Sequence, residues 1–356
     1  MNHNSRPIIT LAVLGVVACW IIVAGVFLAR ASHRGEMLDN VPDAQMSYDD
    51  FNLRGNENYK QESFKRAASD YSHMIELAPT RMDGYMFRAM AEYHLGAYDK
   101  AIADDTKALQ YASEPETITD LHFNRGLSYK NKGEWDKAIT DFSTAIQMNP
   151  NIVDAHHNRA WCYTEKRQYD KAIADYSTDI ARDPRNSGAL MERGQVYLLK
   201  GDYDRALADL DRSIALRPEW PTCYLQRARV YDHKKQYTKA LADCQEAIRQ
   251  DPNNADFWNA LGWFQYKAGH TSEALPSLEK AIAINPKSPY AEFNRGLCYA
   301  ELGDSTSSAK SYRVALTNAR PGEGKEALKE AKEALQQHPG SPALKQAVAL
   351  LTDGAR

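Results

Sequence analysis

Residues 125–142 read RGLSYKNKGEWDKAITDF, and residues 193–210 read RGQVYLLKGDYDRALADL. Both carry an Arg-Gly pair and a second glycine seven residues after the first, then a ring, an alanine and an aspartate in matching places. Outward from these phrases the frame returns on small residues at Gly55, Ala89, Gly126, Ala160, Gly194, Ala228, Gly262 and Gly296, 34 residues apart except for one step of 37. Twelve residues after each stands another small one: Ala67, Ala101, Ala138, Ala172, Ala206, Ala240, Ala274 and Ser308. Nine after each of the first six stands a ring: Phe64, Tyr98, Trp135, Tyr169, Tyr203 and Tyr237. Pro79, Pro150, Pro184, Pro218, Pro252 and Pro286 close most copies.

Each copy divides into two segments of helix-like apolar period joined by a short turn, often at Gly96, Gly133, Gly201, Gly269 or Gly303, and so reads as a helical hairpin. The small residues belong where the two helices cross, because only short side chains let the backbones approach. The ring is expected to fill the space at that crossing. The closing proline cannot continue the second helix and starts the next copy. One hairpin cannot bury its own apolar faces, so the copies must stack, and an all-α solenoid is expected. The second copy runs three residues long in YASEPETITD, which reads as a longer surface turn.

A 34-residue helix–turn–helix with these signposts resembles the tetratricopeptide repeat (TPR) family. In FWNALGWFQYKAG, Trp258, Leu261 and Gly262 follow the family's W-x2-L-G order, although its tyrosine place holds Gln265 and Tyr266 comes one late. The resemblance covers eight repeats: 48–81, 82–118, 119–152, 153–186, 187–220, 221–254, 255–288 and 289–322. It implies a right-handed superhelix. Residues 323–356 are expected to form capping helices, the first with a narrow stripe of Ala327, Leu328, Ala331, Ala334 and Leu335.

A second regularity runs through the frame. In six repeats an Arg precedes the small residue and an Asp stands sixteen after that Arg: Arg54/Asp70, Arg88/Asp104, Arg125/Asp141, Arg159/Asp175, Arg193/Asp209 and Arg227/Asp243. The seventh repeat lacks both, with Leu261 and Ser277, and the eighth keeps Arg295 opposite Ser311. Pairing each Arg with the preceding repeat's Asp would strand Asp243 and Arg295. The covariation therefore predicts a bridge between the two helices of one hairpin, in the planar geometry that guanidinium and carboxylate favour. A row of Arg facing an acidic ligand is the alternative.

By the resemblance, the first helix of each repeat lines a concave groove. Its inward positions hold Met86, Met90 and Tyr93, then Phe123 and Leu127, then His157 and Trp161, then Met191 and Gln195. This Met- and aromatic-rich stretch is expected to receive a protein or peptide partner, with some of its rings packing between repeats instead. A second apolar patch, Trp263, Phe293 and Leu297, lies toward the C-terminus. No Lys stands three residues before any small residue, which argues against the carboxylate clamp found in some members.

With Lys+Arg at 44 and Asp+Glu at 47, the net charge of −3 speaks against a nucleic-acid binder. The five cysteines show neither CxxC nor zinc spacing and read as small buried thiols, a Cys223–Cys244 bridge being left open. His156 and His157 are adjacent, so they face different ways on a helix and form no i, i+4 metal pair. PGEGKE lacks P-loop spacing. Repeats and cap take up nearly the whole chain, so no enzyme, cofactor, metal or small-molecule substrate is expected.

Ahead of the repeats, Ile8–Ala29 form an uncharged run, IITLAVLGVVACWIIVAGVFLA, about 33 Å long as a helix and sufficient to cross a bilayer core. That length favours an uncleaved transmembrane anchor within residues 1–30, followed by a short polar linker over 31–47. Cleavage near Ala29-Arg30-Ala31 and lipoprotein processing at Cys19 are the alternatives. Arg6 on one side against Arg30 and Arg34 on the other nearly ties the positive-inside comparison, with a slight lean toward extracytoplasmic repeats. The expectation is a single-pass, membrane-tethered scaffold; a self-assembling structural solenoid is the alternative.

Overall fold

A computed structural model describes Leu38 and residues 41–354. The expected anchor at 8–29 lies outside the described residues, and among those described no helix is long and apolar enough to cross a membrane. Regular structure among them is all helical. A 3-10 turn at Asp43–Gln45 precedes eight hairpins: α1 (Tyr48–Lys60) and α2 (Phe64–Leu77), α3 (Met82–His94) and α4 (Tyr98–Tyr111), α5 (Pro115–Lys132) and α6 (Trp135–Met148), α7 (Ala155–Glu165) and α8 (Tyr169–Arg182). There follow α9 (Ser187–Lys200) and α10 (Tyr203–Leu216), α11 (Pro221–His233) and α12 (Tyr237–Gln250), α13 (Ala255–Lys267) and α14 (Thr271–Ile284), α15 (Pro289–Glu301) and α16 (Ser305–Asn318). Two further helices close the chain, α17 (Gly324–Gln337) and α18 (Pro342–Gly354). The contacts group into an N-terminal body ending at Thr178 and a C-terminal body beginning at Asp179.

The small residues sit where the frame requires them. A Cβ added to Gly126 would lie 2.8 Å from Cε1 of Phe142, and one added to Gly262 would lie 2.6 Å from Cγ of Leu278. The filler, however, is not the expected ring. It is the residue sixteen after the small one, buried as Tyr71, Phe142, Leu210, Leu278 and Tyr312. Trp135 and its counterparts open the second helices instead, about two turns away from the crossing. There they remain half-buried, and two of them stack on a neighbouring first helix: Phe64 on His94 at 4.5 Å, Tyr203 on His233 at 5.1 Å. The turn residue seven after the small one has a left-handed backbone in every hairpin. Five are glycines with φ between 74° and 85°, while Glu62, Arg167 and Lys235 take the same turn at φ 57°, 56° and 56°.

Two further expectations change. The extra residues near Pro115 lengthen a helix rather than a turn: only Ala112–Glu114 separate α4 from α5, which runs for 18 residues. Proline's fixed φ suits a first helical turn, and Thr119 Oγ1 donates to the Pro115 carbonyl at 2.8 Å from a buried position. The stretch expected as a free linker is partly packed. Leu38 and Met46 are buried against Phe51, Ala67, Tyr71 and Met74, closing the open side of the first hairpin. The last two helices follow the eighth hairpin without forming a ninth. Helix α17 lies against α15, on the face that would line the groove, while α18 takes the place beside α16 that a next first helix would occupy.

Candidate protein-docking face

The Arg–Asp pairs form within each hairpin, as the covariation predicts. Arg125 donates from Nε and Nη2 to the two oxygens of Asp141, both at 2.8 Å, and Arg159 does the same to Asp175 at 2.8 and 2.7 Å. Arg88–Asp104, Arg193–Asp209 and Arg227–Asp243 repeat this two-pronged geometry at 2.7–2.8 Å. Arg54 places both nitrogens on Oδ1 of Asp70, whose Oδ2 accepts from Asn58 Nδ2 at 2.9 Å. The eighth repeat replaces its missing Asp: Arg295 donates to Ser311 Oγ at 3.1 Å and to the buried Glu292 at 2.8 Å.

The sequence reading missed the third guanidinium nitrogen. Nη1 crosses to the preceding hairpin, from Arg88 to Ser72 Oγ (3.1 Å), Arg125 to Thr106 Oγ1 (3.0 Å), Arg159 to Ser143 Oγ (2.9 Å) and Arg227 to Asp211 Oδ1 (2.7 Å). One side chain therefore sets the register of its own hairpin and fastens that hairpin to its neighbour. Two rungs gain a histidine: His122 Nδ1 lies 2.8 Å from Asp141 Oδ1, and His156 Nδ1 lies 3.0 Å from Asp175 Oδ1. Burial pushes these two carboxyls upward, yet hydrogen bonds from Arg and His outweigh it and hold both below the ordinary carboxylate value. Asp243 has no histidine and faces Asp211, and burial leaves it raised. These charges are spent on packing, which leaves no row of Arg turned toward a ligand.

On the N-terminal body, Met86, Met90, Tyr93, Phe123, Leu127, His157 and Trp161 are all half-buried on the first helices of repeats two to four. Phe123, Leu127 and Trp161 rest on the cluster of Ala138, Phe142 and Cys162, and His157 meets Tyr176 edge-on at 5.4 Å. Tyr93 OH accepts from Asn131 Nδ2 at 2.7 Å. Lys130 Nζ donates to Asn158 Oδ1 at 2.6 Å and lies 5.4 Å from the Trp161 ring. The outcome is a ridge of soft and aromatic surface, firmly based yet still partly in water. Such groups anchor partners because they bring much apolar area at small entropic cost.

The C-terminal body differs. Met191 is 8% exposed, buried like Leu190 and Val196 on the same helix, so of the two groove residues expected in that repeat only Gln195 is half-buried. Phe293 and Leu297, expected as open groove, are buried beneath α17 in one core with Ala331 and Ala334. Trp263 and Tyr266 pack against the same core. Beside α17 remains a cleft of about 450 Å³ lined by Asp232, His233, Trp263, Lys267 and Glu330. Cys162, Cys223, Cys244 and Cys298 are buried free thiols, with Cys223 Sγ 3.3 Å from Ser213 Oγ.

Comparison with known proteins agrees with this architecture. Sequence profiles described as tetratricopeptide repeat match residues 52–115, 119–152, 142–174, 165–221, 200–255 and 233–292, more than half of the chain together. A 111-residue stretch is 26% identical to the Hsp70-Hsp90 organising protein of Plasmodium falciparum (isolate 3D7), covering 30% of this chain and 20% of that protein. A 69-residue stretch is 32% identical to a Photosystem I assembly protein of Acaryochloris marina (strain MBIC 11017), covering 19% of this chain and 42% of that one. The chain thus spans less than half the length of either relative. Among solved structures, a tetratricopeptide repeat protein from Parabacteroides merdae ATCC 43184 superposes with a TM-score of 0.62 at 18% identity, over 76% of this chain and 98% of its own. The APC/C hetero-tetramer Cut9-Hcn1 gives 0.56 at 18% identity, over 85% of this chain and 58% of its own. At such identities the structural likeness is one of fold. Eight hairpins on one 34-residue frame, together with these profile matches, place the chain in the tetratricopeptide repeat family.

Proposed function

We propose that this protein is a membrane-tethered scaffold that gathers protein partners on the concave face of its repeats and catalyses no reaction. The observation that carries the reading is the ridge from Met86 to Trp161. The letters that recur between repeats are taken up by the crossings and the ladder, whereas this variable apolar ridge remains half-open. The names of the two relatives, one organising chaperones and one assisting assembly, accord with a role in bringing proteins together. The uncharged run at 8–29 supplies the tether.

The test is affinity capture of the full-length chain from cells, followed by mass spectrometry, beside Met90→Glu and Trp161→Ala versions with unchanged circular dichroism. The proposal expects a defined set of partners that both substitutions remove. Capture of an identical set by all three, or of self-copies alone, overturns it. For the tether, alkaline washing should leave the chain in the membrane pellet; release into the supernatant contradicts that part.

A further inference from the structure

The C-terminal body shows what the first helices of repeats seven and eight hold. Helix α17 lies on Trp263, Phe293 and Leu297, burying Ala331 and Ala334 and packing Ala327, Leu328 and Leu335 into the same core. Its ends and middle are fixed by polar contacts: Tyr290 OH donates to Glu323 Oε1 at 3.2 Å, Lys267 Nζ lies 3.9 Å from Glu330, and His338 Nε2 lies 3.9 Å from Glu301. The seat occupies three fixed places in the frame: one after the small residue of repeat seven, three before that of repeat eight, and one after it.

The same places in repeats two and three hold Met90, Phe123 and Leu127. The rim recurs as well. Tyr266 OH donates to Glu301 Oε1 at 3.3 Å in the C-terminal body, and Tyr93 OH accepts from Asn131 Nδ2 at 2.7 Å in the N-terminal body. Both bridges join the fourth residue after one small position to the fifth after the next. Within either body, the other adjacent pairs put at least one polar residue in the three places: Asn56 in repeats one and two, His157 in three and four, Gln195 in five and six, Asn259 in six and seven. The two seats differ in cover. Phe293 and Leu297 are 4% and 3% exposed, whereas Phe123 and Leu127 remain half-buried.

We propose that Met90, Phe123 and Leu127 form a second seat for an amphipathic helix with an alanine-leucine stripe, supplied by a partner protein. This rests on the concave-face reading above and specifies the kind of partner. Charge sets a further requirement. Where Tyr290 receives Glu323 beside the filled seat, the open seat presents the exposed Asp120. The incoming helix therefore carries a lysine or arginine at that point, since like charges there would repel.

The test uses the full-length chain, held in amphipol, and a synthetic peptide of residues 323–338 with E323K and photo-leucine in place of Leu328 and Leu335. The seat predicts photo-cross-links to fragments spanning residues 86–131. It also predicts at least a tenfold loss of yield in Met90→Arg, equivalent to about 1.4 kcal/mol, and weaker labelling by the peptide that keeps Glu323. Met90→Gln, with a several-fold loss, serves if Met90→Arg alters the circular-dichroism melt. Cross-links confined to residues 263–301 (exchange with α17), absence of cross-links, or equal labelling of the Met90 variants each overturns the proposal. If peptide labelling fails while partner capture still depends on Trp161, the helical class is wrong and the docking face stands.

Discussion

Asp105 offers the sharpest test of the packing scheme. Sixteen residues after the small position, the other repeats place Tyr71, Phe142, Tyr176, Leu210, Cys244, Leu278 and Tyr312, all buried in the hairpin crossing. The second repeat puts a carboxyl there, 1% exposed, with Oδ1 lacking any protein hydrogen-bond partner. Burial drives this carboxyl well above its ordinary range, the Arg125 charge opposes that, and Asp104 and Asp141 add to it. Replacing Asp105 with leucine buries a side chain worth about 1.5–3 kcal/mol, less about 1 kcal/mol for an imperfect fit. The expected gain is about 1 kcal/mol at pH 7, or about 2–4 °C in melting temperature for a body of this size. Protonated Asp105 is the form the native state prefers. Its contribution is therefore fully present below the unfolded pKa, about pH 4, and is lost as pH rises through the higher native value. The advantage of leucine should accordingly shrink between pH 7 and pH 4. Urea unfolding followed by far-ultraviolet circular dichroism at both pH values measures this. No gain at pH 7, or a gain as large at pH 4, refutes the assignment of Asp105 as a misplaced core charge.

The ladder, the turns and the cap make further predictions. Asp175→Ala strands Arg159 and His156 and should cost about 3–5 kcal/mol, and adding Arg159→Met should restore more than half, read by urea melts. Because the native carboxyls of Asp141 and Asp175 are held low, their stabilisation is present above the unfolded value and fades as pH falls through the native one. Asp175→Ala should therefore show a flatter acid limb than the parent. Gly201→Ala, at φ 85°, should cost about 1–2 kcal/mol, whereas Lys235→Gly, at φ 56°, should gain about 0.5 kcal/mol after allowance for the freer unfolded chain; thermal melts decide both. Ala331→Asp, at a fully buried site of α17, should free that helix. The signs would be a red-shifted tryptophan emission and at least tenfold faster tryptic cleavage within residues 325–332.

The repeat frame was legible because a hairpin is a local object, and its 34-residue period prints small residues at each crossing eight times over. The Arg–Asp pairing was legible because both partners vanish together at Leu261 and Ser277. The crossing filler was misassigned for a geometric reason. Trp135 and Phe142 lie seven residues apart on one helical face, and periodicity cannot tell which of the two rings meets Gly126. The inter-hairpin fastening had a signal that went unread, since Ser72, Thr106, Ser143 and Asp211 each stand two residues after a ladder aspartate. The turn expected over YASEPETITD is a helix start instead, because proline suits the first helical turn that Pro115 opens. The apolar stripe of α17 identifies the face to be covered but not what covers it, so its place on Phe293 and Leu297 needed coordinates.

The most direct measurement of the central claim is hydrogen exchange by mass spectrometry on the full-length chain, alone and with a captured partner. The account predicts partner-induced protection on peptides covering 86–94, 120–131 and 157–165. Peptides spanning the hairpin turns at Gly96, Gly133 and Arg167 should exchange as before. Protection confined to those turns or to the second helices, with the first helices unchanged, would contradict it.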